Sequence, residues 1–351
     1  MEIVFKHFVC KPIRWDYIEY GDRQMQKIYA FIIVGIIVSF SVPVFATQTT
    51  EDILNAIVKV KASVPQDAST ARVLGTEREG NGVVIDDRGH ILTIGYLILE
   101  AASIEVHNNQ GDPVSARFVA YDYKTGFGIV RTEPPLSVKP LKLGQSSHLK
   151  EGDPILMVGF GGPEAVMGSR VVSRKEFAGY WEYLVENAIY TSPPYTNYGG
   201  AALIDSKGEL LGIGSIFTRL SVSGLGIMNC NMSVPIDLLK PILADLIASG
   251  RSSKPQPPWL GVHADEAHER VFIIRLTPGG PAEKAGIKTG DIILAVDKNP
   301  VKGLADFFRQ IARLGSAGVK VPLTVLQGTE VRKISVQSAD RYQFLQVSRQ
   351  R

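Results

Sequence analysis

The 351-residue sequence predicts a mostly β chain with a smaller α+β domain at its C-terminal end. Three observations carry that expectation. Short apolar runs separated by Gly- and Asp-bearing turns recur between residues 80 and 213, the signature of successive hairpins. A polar, Pro-rich stretch from Ser249 to Pro258 then marks a domain boundary. Beyond it, an apolar strand (Val271 to Leu276) and a helix around Leu304 to Leu314 follow in the smaller domain. At 45% hydrophobic and 21% charged residues, the chain is long enough for one large and one small domain.

The N-terminal segment reads as an address. Lys27 precedes a nearly uninterrupted apolar run, Ile28 to Val42, that ends in Pro43-Val44-Phe45-Ala46. This is the pattern of a secretory signal cut after Ala46, and Ile28 to Ala46 also approaches the length of a membrane span. Residues 1–46 are therefore expected to be a signal peptide or an N-terminal membrane anchor. Either places the domains outside the cytoplasm, in the periplasm or cell envelope.

After the leader, Thr50-Glu51-Asp52 is expected to cap a short helix with Ile53, Leu54 and Ile57 on one side. Gly80 to Ile85, a turn at Asp86-Asp87-Arg88-Gly89 and His90 to Thr93 form a hairpin. Glu176 to Leu184 is locally aromatic, with Phe177, Trp181 and Tyr183 spaced to pack inward as a strand; it could equally wall a cleft. The stretch Pro194-Tyr195-Thr196-Asn197-Tyr198-Gly199-Gly200 is a tight turn running into the apolar strand Ala201 to Ile204. A helix with Leu238, Leu239, Ile242, Leu243, Leu246 and Ile247 on its inner face closes the first domain near residue 250.

Several function classes fall away on composition. The net charge of +3 comes without any Lys/Arg block, so nucleic-acid binding has no electrostatic footprint. The six His never take zinc-ligand spacings, and no Cys-x-x-Cys pair occurs, so neither a metal nor another cofactor is implied. Cys230 is the one Cys outside the leader; it is read as a small apolar filler. Gly159-Phe160-Gly161-Gly162-Pro163 lacks the Gly-Lys-Ser/Thr of a phosphate loop and reads as a turn.

Five stretches in order carry a family likeness: Gly89 to Ile98, Asp122 to Arg131, Leu141 to Ser146, Glu151 to Gly159 and Pro194 to Ile204. Together they resemble the frame of HtrA-type serine proteases between about Ile53 and Ala248. The resemblance implies a chymotrypsin-like double β-barrel, with a His, Asp and Ser triad in that chain order. In this sequence those three positions carry Tyr96, Gly126 and Tyr198, and Thr196 stands where the family has a Gly in its oxyanion turn. Acyl transfer needs a nucleophile, a base within hydrogen-bond reach and a group that orients the base. A phenol, no imidazole and no carboxylate do not supply them, and two tyrosines are expected to fill the cleft. A substitute triad from Ser192, Ser206 or Ser215 with His107 or His148 finds no motif support.

From Trp259-Leu260-Gly261-Val262 through Gly280-Pro281-Ala282-Glu283-Lys284-Ala285-Gly286 and Gly290-Asp291-Ile292-Ile293, the sequence resembles the PDZ modules of the same family. The expected domains are 47–250 (protease-like), 251–257 (linker), 258–338 (PDZ) and 339–351 (tail). The resemblance implies that Leu260, Gly261 and Val262 hold a peptide carboxylate, with Leu304, Phe307, Phe308 and Ile311 lining the apolar wall. The expected function is a pseudoprotease that binds unfolded or C-terminal peptides as an adaptor or chaperone-like factor. Two alternatives stay open: a serine endopeptidase, and a structural subunit in a homo-trimer or a mixed oligomer with active HtrA proteases.

Overall fold

A computed structural model describes residues 48–345, apart from 110, 223 and 225. The expected signal or anchor at 1–46 lies outside the described residues, as do residues 346–351 of the expected tail. Among the described residues, no helix is long and apolar enough to cross a membrane.

Two closed six-stranded barrels make up the first domain, as the family resemblance implies. The first contains β1 (Ile57–Ser63), β2 (Glu77–Val84), β3 (His90–Ile94), β4 (Ser103–His107), β5 (Val114–Tyr121) and β6 (Phe127–Thr132), ordered β1-β2-β3-β6-β5-β4. The second contains β7 (Pro154–Val158), β8 (Val166–Gly179), β9 (Tyr183–Ser192), β10 (Ala202–Ile204), β11 (Leu210–Val222) and β12 (Gly226–Pro235), ordered β10-β11-β12-β9-β8-β7. Closure leaves no free sheet edge in either barrel. Inward residues such as Val60, Ile91, Phe127, Val185 and Val234 form one buried cluster spanning both barrels. Full burial of each such side chain stabilises the fold by about 1.5–3 kcal/mol.

Helix α1 (Thr50–Asn55) forms as expected, but its cap is Thr49, one residue earlier than the sequence suggested. Thr49 and Asp52 satisfy each other's backbone amides in a capping box. The expected long helix after Pro235 is broken. A 3-10 turn at Ile236–Leu238 is followed only later by an α-helix, Leu243–Ser249. Pro241 lies between them; it has no amide to donate and its ring obstructs the preceding turn. The next stretch, 251–257, is packed rather than slack. Ser252 is buried, the Gln256 amide donates to the Ser252 and Lys254 carbonyls, and Ala317 N donates to the Gln256 carbonyl.

The C-terminal domain is a sheet of β13 (Val262–Ala267), β14 (Arg270–Leu276), β15 (Ile292–Val296), β17 (Lys320–Gln327) and β18 (Glu330–Gln337), with the short β16 (Asn299–Pro300) beside β15. One helix, Leu304–Arg313, packs on it with Phe307 and Ile311 buried in a separate core. The expected tail is partly structural. Ala339 pairs with Trp259, and a 3-10 turn at Arg341–Phe344 sets Tyr342 against Tyr123, its hydroxyl donating to the Tyr121 carbonyl at 2.7 Å.

Candidate functional site

The three triad-position residues come together at the junction of the barrels. Tyr96 sits on a 3-10 turn, Gly95–Leu97, directly after β3. That turn is held from below by the buried Arg78, which donates to the Tyr96 and Leu99 carbonyls, each at 2.9 Å. The Tyr96 hydroxyl crosses to the second barrel and donates to the Ser215 carbonyl at 2.8 Å. Burial, with the neighbouring Tyr198 phenol adding to it, pushes the Tyr96 phenol well above its ordinary value. It is a neutral donor and offers no base.

Gly126 closes the turn between β5 and β6. The Asp122 carboxylate accepts from the Thr125 amide and hydroxyl, and Gly126 N donates to the Asp122 carbonyl at 2.7 Å. This winds Gly126 to φ +81°, a conformation that glycine adopts without steric cost. Its side-chain space is already taken. A Cβ there would lie 2.6 Å from the hydroxyl of Tyr183, which donates to the Thr125 carbonyl at 2.5 Å. Tyr183 is fully enclosed, and burial raises its phenol far above the ordinary range. The second barrel thus inserts a tyrosine where any side chain at position 126 would begin.

Tyr198 is half-buried on the loop before β10. The buried Asn81 fastens that loop: its amide donates to the Asn197 and Gly199 carbonyls at 2.8 and 3.0 Å, and its Oδ1 accepts from Phe160 N at 2.8 Å. Asn231, also fully buried, pairs with both backbone groups of Tyr195, at 2.6 Å from its amide and 3.2 Å from its carbonyl. Gly200 takes φ +75°, and a Cβ there would strike the Asn81 carbonyl at 1.9 Å. Thr196 is exposed and is not among the residues with positive φ, so the loop does not strain it into a glycine conformation.

One expectation needs correction: the tyrosines do not fill the cleft. A cavity of about 1020 Å³ remains, bordered by Tyr96, Tyr198, Phe177, Trp181 and Phe217 on the barrels and reaching His263 and Arg275 of the C-terminal domain. Both sequence readings of 176–184 therefore hold in part. Tyr183 is a core residue, while Phe177 and Trp181 wall the cavity, with Trp181 stacked on Tyr183 at 5.3 Å.

The remaining expectations sort simply. His90 is buried against Asp86, with Nδ1 to Oδ2 at 2.7 Å, and is structural. Cys230 is fully enclosed, and burial raises its thiol. Ser192 Oγ donates to the Asn229 carbonyl, and none of Ser192, Ser206 and Ser215 has a His partner among the hydrogen bonds described. Among the described residues, no cluster of His, Cys, Asp and Glu could hold a metal ion.

In the C-terminal domain, Leu260, Gly261 and Val262 form the loop into β13, and Leu304, Phe307, Phe308 and Ile311 are all buried on the facing helix. Gly261 has φ +75°, with Trp259 and Thr277 within 3.3 Å of any Cβ. The loop amides are already bonded. Leu260 N and Val262 N donate to the two carboxylate oxygens of Glu182, at 3.0 and 2.7 Å. Neither Glu182 nor the Arg341 whose charge faces it was singled out by the sequence. Glu182 lies 78 residues before Leu260, at a spacing no motif records.

Residues 80–213 match the family model for a trypsin-like peptidase domain, and residues 258–337 that for a PDZ domain. The periplasmic serine endoprotease DegP of Escherichia coli (strain K12) is 26% identical over 261 residues, which cover 71% of this chain and 54% of that protein. A protein of Halomonas elongata named "Probable periplasmic serine endoprotease DegP-like" is 29% identical over 278 residues, covering 74% and 56%. The chain spans about half the length of these curated relatives. Among solved structures, the HtrA-type protease AlgW with decapeptide superposes at a TM-score of 0.51 and 20% identity, covering 83% of this chain and 98% of that one. The same protease with tripeptide gives 0.50, with 83% and 97% covered. These structural likenesses establish the fold.

Proposed function

Because this chain joins a trypsin-like peptidase domain to a PDZ domain in the HtrA/DegP arrangement, we propose that it is a peptide-binding pseudoprotease of the periplasm or cell envelope. The observation that carries the proposal is the state of the Gly126 position. It has no carboxylate, its φ suits glycine, and Tyr183 occupies the space a carboxylate would need. With Tyr96 donating its proton to a carbonyl and no imidazole beside Tyr198, the site has neither a base nor a group to orient one.

The PDZ domain supplies the binding chemistry. Successive backbone amides at Leu260, Gly261 and Val262 can hold a carboxylate, and a peptide can add as a strand beside β13. The apolar residues of the Leu304–Arg313 helix receive an aliphatic or aromatic terminal side chain. The implied ligands are C-terminal or unfolded segments of exported proteins, with no cofactor. The periplasmic names of the relatives and the leader pattern before Thr47 support the location.

The reading is tested by binding of a fluorescent peptide with a free apolar C-terminal residue, against the same peptide amidated. The free form should bind and the amidated form should bind weakly; equal affinities would contradict carboxylate recognition. The endopeptidase alternative, favoured by the relatives' names, requires turnover of an unfolded substrate such as casein by the same sample.

A further inference from the structure

The turn joining β8 to β9 enters the PDZ domain as a ligand would. Its residues run Gly179-Tyr180-Trp181-Glu182-Tyr183, with Gly179 opposite Tyr183. The Glu182 carboxylate accepts from Leu260 N and Val262 N at 3.0 and 2.7 Å. Two residues earlier, the Tyr180 carbonyl accepts from Ala264 N at 2.8 Å. A two-residue step between bonds to one partner strand is the spacing of an added antiparallel strand. Ala178 and Leu184 pack against the PDZ core, the Leu304–Arg313 helix lies against both β8 and β9, and Arg309 pairs with Glu176 at its outer side. Arg341 closes the other side, donating to the Trp181 carbonyl at 3.2 Å.

We propose that this turn is the resident ligand of the PDZ groove, with the Glu182 side chain standing in for a chain-terminal carboxylate. A peptide with a free carboxyl terminus then binds only by displacing the turn. Displacement also moves Tyr180 and Trp181, which wall the large cavity beside Tyr96 and Tyr198. The proposal rests on the reading of the groove as a carboxylate site.

The seat is strong in geometry and weak in charge. Carboxylate bonds to several N–H donors are among the stronger hydrogen bonds. Burial nevertheless pushes the Glu182 carboxyl up to about 7, against the opposing pull of the loop amides and Arg341. A chain-terminal carboxyl titrates near 3.3–3.7 in water, below the ordinary 4.5 of Glu182, so in the same seat it holds its charge more readily than Glu182 does. Glu182 also holds φ +55°, which disfavours it relative to Gly.

That backbone suggests the variant. Glu182→Gly removes the carboxylate and relieves the turn, so the hairpin keeps its shape; Glu182→Gln retains the volume and loses the charge. Affinity for a labelled peptide with a free C-terminal Val is measured on the full chain and both variants, with hydrogen exchange at Leu260, Gly261 and Val262 as a second readout. Expected is at least tenfold tighter binding to Glu182→Gly, an intermediate gain for Glu182→Gln, and faster exchange of the three amides in the unliganded variants. Equal affinity in all three proteins would overturn the proposal while leaving carboxylate recognition standing. Should none bind, exchange decides: faster exchange in Glu182→Gly upholds the resident ligand and rejects the peptide reading, and unchanged exchange rejects both.

Discussion

Tyr183 and Gly126 show how two residues of ordinary type fix what the cleft can do. The tyrosine comes from β9 of the second barrel, the glycine from a turn of the first, and the phenol takes the volume that an acidic side chain would require. Gly126→Asp should therefore destabilise the protein by about 2–5 kcal/mol, combining left-handed strain with overpacking; denaturant unfolding measures it. Tyr198→Ser alone should leave serine-directed labelling at background, since no base stands at position 96. Asn81→Ala should cost about 2–4 kcal/mol in the same unfolding experiment, because it strands Phe160 N and the Asn197 carbonyl, while the Gly199 carbonyl keeps the Asn81 backbone amide. Tyr96, Gly126 and Tyr198 could be singled out in the sequence because they sit inside recognisable frames, and all three border the cavity. Asn81, Asn231 and Tyr183 could not, because each acts through a backbone group far away in the chain.

The β8–β9 hairpin is the element that joins the domains. The sequence marks it only as aromatic; that its tip reaches a loop near residue 260 depends on how the domains meet, which hydrophobic periodicity does not encode. Its docking has an unusual pH dependence. Glu182 rises from an ordinary 4.5 to about 7 when docked, so the docked state binds that proton more tightly; acid favours docking, with the gain lost as pH rises towards 7. His263 lies at about 4, below its ordinary 6.5, through burial and the charges of Arg275 and Arg341; Arg275 is its neighbour on the paired strand β14 and stays beside it on release, so acid disfavours docking only through the burial that release removes. Tyr123 also faces Glu182 but stays neutral throughout this range. Between about pH 4.5 and 6.5 the imidazole contribution opposes the carboxyl one and offsets part of it, so docking should weaken only modestly as pH rises. In Glu182→Gln the imidazole acts alone, so release should grow as pH falls from 6.5 to 4; exchange at Val262 reports it. Gly261→Val is a poor probe of the groove, because φ +75° makes a β-branched residue strain the loop itself.

At the scale of the whole molecule, barrels, linker and PDZ domain form one compact unit over 48–345. The docked hairpin and the Tyr342 contact with Tyr123 span the boundary, and the linker is bonded to the C-terminal domain through Ala317 N. Unfolding of the full chain should therefore give a single calorimetric transition, and Glu182→Gly should separate it into two; two transitions in the unsubstituted chain would show the domains to be independent. The two-domain plan was legible from turn spacing and the Pro-rich boundary. The coupling was not, since a polar stretch rich in Pro and Ser reads as slack until its hydrogen bonds are seen.

The central claim, that the cleft does not hydrolyse peptides, is tested most directly by intact-mass measurement of the folded protein after incubation with a fluorophosphonate probe. The account predicts no adduct on the native protein. An adduct that disappears on denaturation before labelling, and that maps to any Ser between residues 47 and 250, would contradict it.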